Sequence, residues 1–293
     1  IEFQTATLQS HTKDIEHKSK FFHAAILHGT LYPGFSTRKV FQMVFPTLVL
    51  SPRFTPDSIA LAGAATQLGW NVERLVNWRP QAELKTQPVV VYGEPLFAAV
   101  IAGELGLSLV EPPFHWLTTL PVQYCKRDIQ FLSLGDAKAI NHPAFFKPAD
   151  DKCFPAKVYQ SGLELADFGY LEEDVPVLVS EPVVWEVEFR CFVHHRTLAT
   201  FSPYSRFGEL ACDSNGNWPA TADEIAALRQ FTDSLLNDWS VSIPEAVVID
   251  VGVISGKGWA VVEANAAFGS GIYGCDPAQV LPVLAEASCH MSQ

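Results

Sequence analysis

Apolar positions along the chain fall into short runs whose period changes partway. The nearly continuous run Phe45-Pro46-Thr47-Leu48-Val49-Leu50 has the pattern of a strand buried on both faces. Thr55-Pro56-Asp57 is a helix-start signal ahead of an Ala/Leu-rich stretch to Leu68, and Gly69 ends that helix. Val72 to Trp78 and Val89 to Tyr92 predict two more strands, Pro95 to Leu105 a helix, and Ser108 to Val110 a fourth strand. Strands alternating with helices predict a small parallel α/β domain. After Pro112-Pro113 the strands lengthen into hairpins around one helical interval, Ala222 to Leu236, the texture of an α+β region.

The expected organisation is therefore an N-terminal extension over 1–42, a small α/β domain over 43–115 and a catalytic α+β domain over 116–293. The first 42 residues hold four of the nine His and five basic against three acidic side chains, without periodic pattern. Met43 is expected as the native start, with 1–42 foreign to the fold or disordered; a genuine, poorly patterned extension is the alternative.

Composition narrows the function. A chain of 293 residues, 48% hydrophobic, can bury the cores of two or three units. Its net charge of −12 gives no electrostatic reason to expect nucleic acid or an anionic membrane as partner. Any anionic ligand must be held by a few placed basic groups. The six cysteines are scattered without a CxxC pair, as in a reduced cytoplasmic protein. No apolar run reaches the roughly 18 residues of a membrane span, and no secretory pattern opens the chain. The first domain lacks GxGxxG, so it reads as supporting or substrate-facing rather than nicotinamide-binding.

Chemistry concentrates in the last third. Val247 to Ile254 and Trp259 to Asn265 are apolar strands joined by Ser255-Gly256-Lys257-Gly258, a hairpin pattern. With Gly256-Lys257 as a two-residue turn, Asp250 stands opposite Glu263, and Asn265 shares the face of Glu263. Facing carboxylates in apolar strands repel, and a bound cation relieves that conflict. Oxygen-only ligation by Asp250, Glu263 and Asn265 suits a hard ion such as Mg2+ on nucleotide phosphates; a solvated sheet face is the plain alternative.

Lys147 closes one apolar strand and Lys157 opens the next, so both ammonium groups are expected to project toward one phosphate chain. Taken singly, each reads as a solvated strand-end charge. Between these elements the link Glu181-Pro182-Val183-Val184 can offer backbone groups to an adenine edge, and Glu188 can accept from ribose hydroxyls. Arg190 and Arg206 are candidates for gripping a substrate carboxylate or acyl phosphate, with ion pairs to Glu186 or Glu209 as the structural alternative. His194 and His195 read as turn residues.

This order of parts resembles the ATP-grasp superfamily over roughly Leu120 to Leu284. The resemblance implies an ATP-grasp fold behind a small parallel α/β (pre-ATP-grasp) domain. It also implies ATP and Mg2+ as cofactors, with Arg127, Lys147 and the segment Glu181, Pro182, Val183, Val184 on the nucleotide, Glu188 on ribose, and Asp250, Glu263 and Asn265 as metal ligands. More narrowly, Cys125-Lys126-Arg127-Asp128, Phe146-Lys147-Pro148-Ala149-Asp150-Asp151-Lys152, Glu188-Phe189-Arg190 and Glu263-Ala264-Asn265 look like the clade named for its arginine and lysine signature. Many members cover the phosphates with a Gly-rich loop. Here Asp150 to Pro155 has no Gly, and Lys152 and Lys157 are expected in its stead.

The implied activity is an ATP-dependent carbon–nitrogen ligase joining a small-molecule or peptide carboxylate to an amine through an acyl phosphate, with Lys157, Arg190 and Arg206 near the reacting groups. The rivals are an ATP-grasp kinase and a nucleotide-binding module without turnover. Substrate identity and oligomeric state are not set by these motifs. Removal of 1–42 is expected to leave solubility and activity intact, a point that expression of the truncated chain checks directly; its collapse would show that 1–42 belongs to the fold.

Overall fold

The computed structural model describes residues 45–149 and 152–290. Expectations for 1–42, and for Asp150 and Asp151, lie outside the described residues. The described residues belong to one compact unit, and the division at 115/116 is a proposal within it.

β1 (Thr47–Leu50) lies between β2 (Asn71–Arg74) and β3 (Val89–Tyr92), parallel to both. Every residue of β1 and β3 is buried, which explains their unbroken apolar pattern. α1 (Pro56–Gln67) begins at Thr55, whose hydroxyl accepts from Ser58 N while Ser58 Oγ accepts from Thr55 N. Gly69, at φ 79°, lets the chain turn back toward β2 where a side chain would strain it. α2 (Pro95–Leu105) ends at Gly106 in the left-handed conformation.

Two expectations change here. The second strand stops at Arg74, and Val76 beyond it is 93% exposed. The fourth strand, β4 (Leu107–Leu109), leaves the parallel sheet altogether and pairs with a strand at the other end of the chain.

The second part holds two antiparallel sheets. β5 (Ile129–Ser133), β6 (Ala144–Pro148), β7 (Lys157–Tyr159) and β8 (Pro176–Ser180) form the smaller, in the order β5-β8-β6-β7. The larger contains β9 (Trp185–His194), β10 (Thr197–Arg206), β11 (Glu209–Leu210), β12 (Ala246–Ile254) and β13 (Gly258–Asn265), in the order β11-β10-β9-β12-β13. α3 (Ala222–Asn237) supplies Leu228, Leu235 and Leu236 to a core with Val187, Phe189, Cys191, Val247, Ile249 and Val251 of that sheet. α4 (Pro277–Glu286) and β14 (Ser288–His290) return to the first part: β14 is the partner of β4, and α4 joins α1, β1 and β3 in one core.

The opposite face of β9 and β12 positions the site. Phe192 and Val248 are buried in the core shared with α1 and α4. Two and four residues earlier on β9 the same face presents Arg190 and Glu188, and Asp250 follows Val248 on β12. One strand face is thus apolar at one end and charged at the other.

α3 opens with a capping box in which Thr221 Oγ1 accepts from Glu224 N and Glu224 accepts from Thr221 N. Glu224 also receives Arg206 of β10, with Nη1 donating to Oε1 at 2.6 Å. The Arg206 hydrogen bond holds the Glu224 carboxyl at about 2, below an unfolded value of about 4.3. Stability from a depressed carboxylate is present above the unfolded value and lost as pH falls through the folded one. Arg206→Met, which keeps the aliphatic stem, should cost about 1 kcal/mol at neutral pH. The gap should close as pH falls from about 5 toward 2. Denaturant melts of both proteins at neutral and acidic pH check this, and a gap independent of pH would refute it.

Candidate active site

The hairpin turn differs from the expected one. Ile254 pairs with Gly258 and Lys257 N donates to Ile254 O, so Ser255, Gly256 and Lys257 form a three-residue turn with Gly256 at φ 72° and Gly258 at φ 80°. That turn alone would shift the register by one residue. A bulge at Val262 absorbs the shift: Val251 lies opposite Val261, yet Asp250 lies opposite Glu263 and Val248 opposite Asn265. The expected facing of Asp250 and Glu263 is observed, through a bulge that the pattern does not announce.

Each of these carboxylates already has a cation. Asp250 is fully buried and bonded through both oxygens to Arg190, its register neighbour on β9, at 3.0 Å from Nε and 2.7 Å from Nη2. Arg190 Nη1 donates to Gly271 O at 3.0 Å, and its guanidinium lies against the rings of Tyr273 and Tyr204. Burial pushes the Asp250 carboxyl up to about 6 against the pull of Arg190. Glu263 accepts from Lys147 Nζ, which arrives from β6, and from Asn265 Nδ2 at 2.9 Å. Burial alone would raise Glu263; the Lys147 ammonium overrides it and holds the carboxyl at about 2. The repulsion expected between the two acids is therefore offset within the protein.

Between the two sheets lies a cavity of about 800 Å³, walled by Lys147, Lys152, Phe154, Leu178, Ser180, Glu181, Val183, Trp185, Glu188, Tyr204 and Glu263 among others. Arg127 borders it but turns its fork inward. Nη1 donates to Cys125 O at 3.1 Å and Val261 O at 2.7 Å, and Nη2 to Val262 O at 2.9 Å. One guanidinium thus clamps both carbonyls of the bulge that aligns Glu263. Gly252 is required by close approach: a Cβ there would stand 2.5 Å from Val187 O and 3.0 Å from the Trp185 ring.

A family model describing an ATP-grasp domain, the second family of the clade named for its arginine and lysine signature, matches residues 124–283. That is more than half of the chain and includes the cavity-lining residues of β9, β10 and β13. The chain belongs to this clade of the ATP-grasp superfamily. The family expected from the motifs is thereby borne out. Solved structures of similar fold include N5-carboxyaminoimidazole synthetase from Staphylococcus aureus complexed with ADP, at 10% identity over 82% of this chain and 77% of that chain, TM-score 0.50. An L-amino acid ligase from Bacillus licheniformis matches at 13% identity over 84% and 75%, TM-score 0.48. A RimK domain protein ATP-grasp from Sphaerobacter thermophilus DSM 20745 matches at 17% over 83% and 98%, TM-score 0.47. No curated protein matches the chain.

Within the ATP-grasp domain the expected site residues separate into two groups. Lys147, Lys152, Glu181, Val183, Glu188 and Glu263 wall the cavity, with Asp250 and Asn265 directly beside Glu263. In the link, Glu181 N donates to Asp128 O, Ser255 N donates to Val184 O, and the Glu181 carboxylate meets Lys257 at 2.7 Å. Pro182 brings no N–H, and Val183 lies on the cavity wall.

Three expectations are corrected. Lys157 pairs with Phe146, whereas Lys147 is the next residue along β6. Successive side chains take opposite faces, so Lys157 and Lys147 cannot share one phosphate chain as expected; Lys157 extends over the Tyr159 ring, and Val158 takes the cavity side. Arg206 is engaged by Glu224 and Pro219 O and does not reach the cavity wall. Arg190 pairs with Asp250 rather than Glu186 or Glu209, and its three bonded nitrogens make it a residue that positions Asp250.

Tyr204, Trp185 and Tyr273 carry more of the site than their sequence context indicates. Tyr204 Oη donates to Glu188 Oε2 at 2.9 Å, and the Tyr204 and Tyr273 rings stack at 5.1 Å. Tyr204 sits at a register irregularity between Pro203 and Ser205, so strand alternation misdirects its side chain. Trp185 lies under the Arg127 guanidinium.

The clamp is testable by Arg127→Lys, since an ammonium is a point donor and cannot replace a planar fork on two adjacent carbonyls. A stability loss of about 1.5–3 kcal/mol is expected from the unmade charge-assisted bonds. Equal denaturation midpoints for the two proteins would show that the clamp is idle.

Proposed function

We propose that this ATP-grasp chain is an ATP- and Mg2+-dependent ligase that phosphorylates a small-molecule or peptide carboxylate and then transfers the acyl group to an amine. The observation carrying it is Glu263, which sits on the cavity wall opposite Asp250, beside Asn265 and in contact with Lys147 from the other sheet. A synthetase of similar fold is complexed with ADP, in agreement with a nucleotide between the two sheets.

The donor set fits Mg2+. Glu263, Asn265 and Asp250 offer oxygen atoms only, the preference of a hard ion. Carboxylate oxygens keep a second lone pair when hydrogen-bonded, so the Arg190–Asp250 pair is compatible with ligation. When bound, Mg2+ would neutralise charge on the transferring phosphoryl group. Lys147 and Lys152 add compact positive charge along the phosphates. Val183 and its neighbours in the Glu181–Val184 link face the adenine, and Glu188, oriented by Tyr204, accepts from ribose hydroxyls. Arg190 keeps Asp250 ionised and aimed. Catalysis then rests on positioning and charge neutralisation: the substrate carboxylate attacks the terminal phosphoryl, ADP leaves, and the amine displaces phosphate from the acyl phosphate.

Among the described residues no helix is long and apolar enough to cross a membrane. The proposed working compartment is the cytoplasm, where ATP is supplied.

A coupled ADP-release assay against amino acids and short peptides, singly and in pairs, tests the reading. Release that requires a carboxylate and an amine together is expected; release with a hydroxyl acceptor alone would make the protein a kinase. In the same assay Glu263→Gln should lower turnover on the order of 10²-fold or more while the protein stays folded. Undiminished turnover would remove Glu263 from the metal site.

A further inference from the structure

At the end of β9 remote from the cavity, His194 is followed by a tight turn in which His195 and Arg196 take φ of 46° and 59°. Adjacent side chains on a straight strand point to opposite faces. The left-handed conformation of His195 swings its imidazole back, and the two rings lie 4.4 Å apart. Both Nε2 atoms converge on one oxygen, Glu286 Oε2 at the end of α4, from 3.7 Å for His194 and 3.4 Å for His195. These separations exceed the usual hydrogen-bond range of about 2.7–3.2 Å. His194 Nε2 is also shut off from solvent without any hydrogen-bond partner, the one such side-chain atom among the described residues. Buried polar atoms without partners are rare and call for an explanation.

A metal ion accounts for both facts. Two ligands held at about 2.05 Å in a tetrahedron stand about 3.3 Å apart, close to the observed spacings and too wide for direct bonding. We propose that His194, His195 and Glu286 form a second divalent metal site, of the zinc class, separate from the Mg2+ and nucleotide site. Two imidazoles and one carboxylate are ligands for zinc or a neighbouring transition ion and disfavour magnesium or calcium. The side chain of His195 is 54% exposed, which leaves a fourth position open to water. Arg190 lies four residues before His194 on the same strand, about 13 Å away at the strand rise, so the two sites do not share ligands. The ion would tie the β9–β10 turn to the end of α4, fixing the segment that leads into β14.

The test uses the full chain stripped with a chelator and then titrated with ZnCl2, and with CoCl2 as a visible probe of coordination. One equivalent is expected to bind with a rise in melting temperature, and cobalt should show the strong visible absorption of a four- or five-coordinate centre. His194→Ala and Glu286→Gln should each weaken binding at least roughly tenfold and abolish the zinc-dependent rise in melting temperature, whereas His115→Ala should not. The half-exposed His195→Gln gives a third variant that keeps the fold. Metal affinity equal in wild type and these variants, absence of stoichiometric binding, or a thiolate-to-cobalt charge-transfer band would overturn the site. Mg2+-dependent ADP release is measured separately, so failure of the zinc site leaves the ligase reading untouched.

Discussion

A carboxylate with no exposed surface, Asp250, is tolerable in this fold only because Arg190 meets both of its oxygens from the adjacent strand. Removing either partner would strand a buried charge, which costs about 3–5 kcal/mol. The pair also transmits position. Arg190 donates to Gly271 O, and the next residue, Ile272, donates its N–H to Asp57 in the first turn of α1. A continuous set of bonds thus runs from the helix beside the parallel sheet to the centre of the larger antiparallel sheet. Apolar packing of Phe192 and Val248 against α1 and α4 brings these elements together, and the polar chain fixes their registration.

Irregularities as well as regular strands deliver side chains to the cavity. The bulge at Val262 restores the facing of Asp250 and Glu263 after a three-residue turn has displaced it, and Arg127 holds the carbonyls of that bulge. The irregularity at Tyr204 aims a phenol at Glu188. Gly252 lets Trp185 approach the sheet where any side chain would collide with Val187 O. Bulges re-aim side chains at the cost of a ladder bond, and here the irregularities at Val262 and Tyr204 are each secured by a side-chain hydrogen bond.

Local signals were legible where local physics decides. The helix at Pro95–Leu105 matches its expected bounds because Pro begins it and Gly106 ends it in a left-handed cap. The buried strands β1 and β3, the helix after Thr221 and the family itself could likewise be read from residue order. Long-range pairing could not. Nothing near Leu107–Leu109 indicates that its partner is Ser288–His290. The shared direction expected for Lys147 and Lys157 failed on register, since one residue of offset sends a side chain to the other face. Arg190 and Arg206 look alike in sequence, each on a strand among acids. Only the fold shows that one grips Asp250 and the other the capping residue of α3.

The Lys147–Glu263 contact bears directly on the proposed reaction. It joins the small sheet to the large one across the cavity, and each residue neutralises the other. Under the proposed function Glu263 would help hold Mg2+ and Lys147 would meet phosphate charge. Neither residue would then be left uncompensated, because nucleotide and metal would bring opposite charges together. The same logic opposes binding of either alone. Metal without nucleotide would face Lys147 still seeking an anion, and nucleotide without metal would face Glu263 deprived of its cation. Under the proposed function, a single ion pair across the cavity would therefore favour entry of the metal–nucleotide complex as one unit, a selectivity that follows from charge balance.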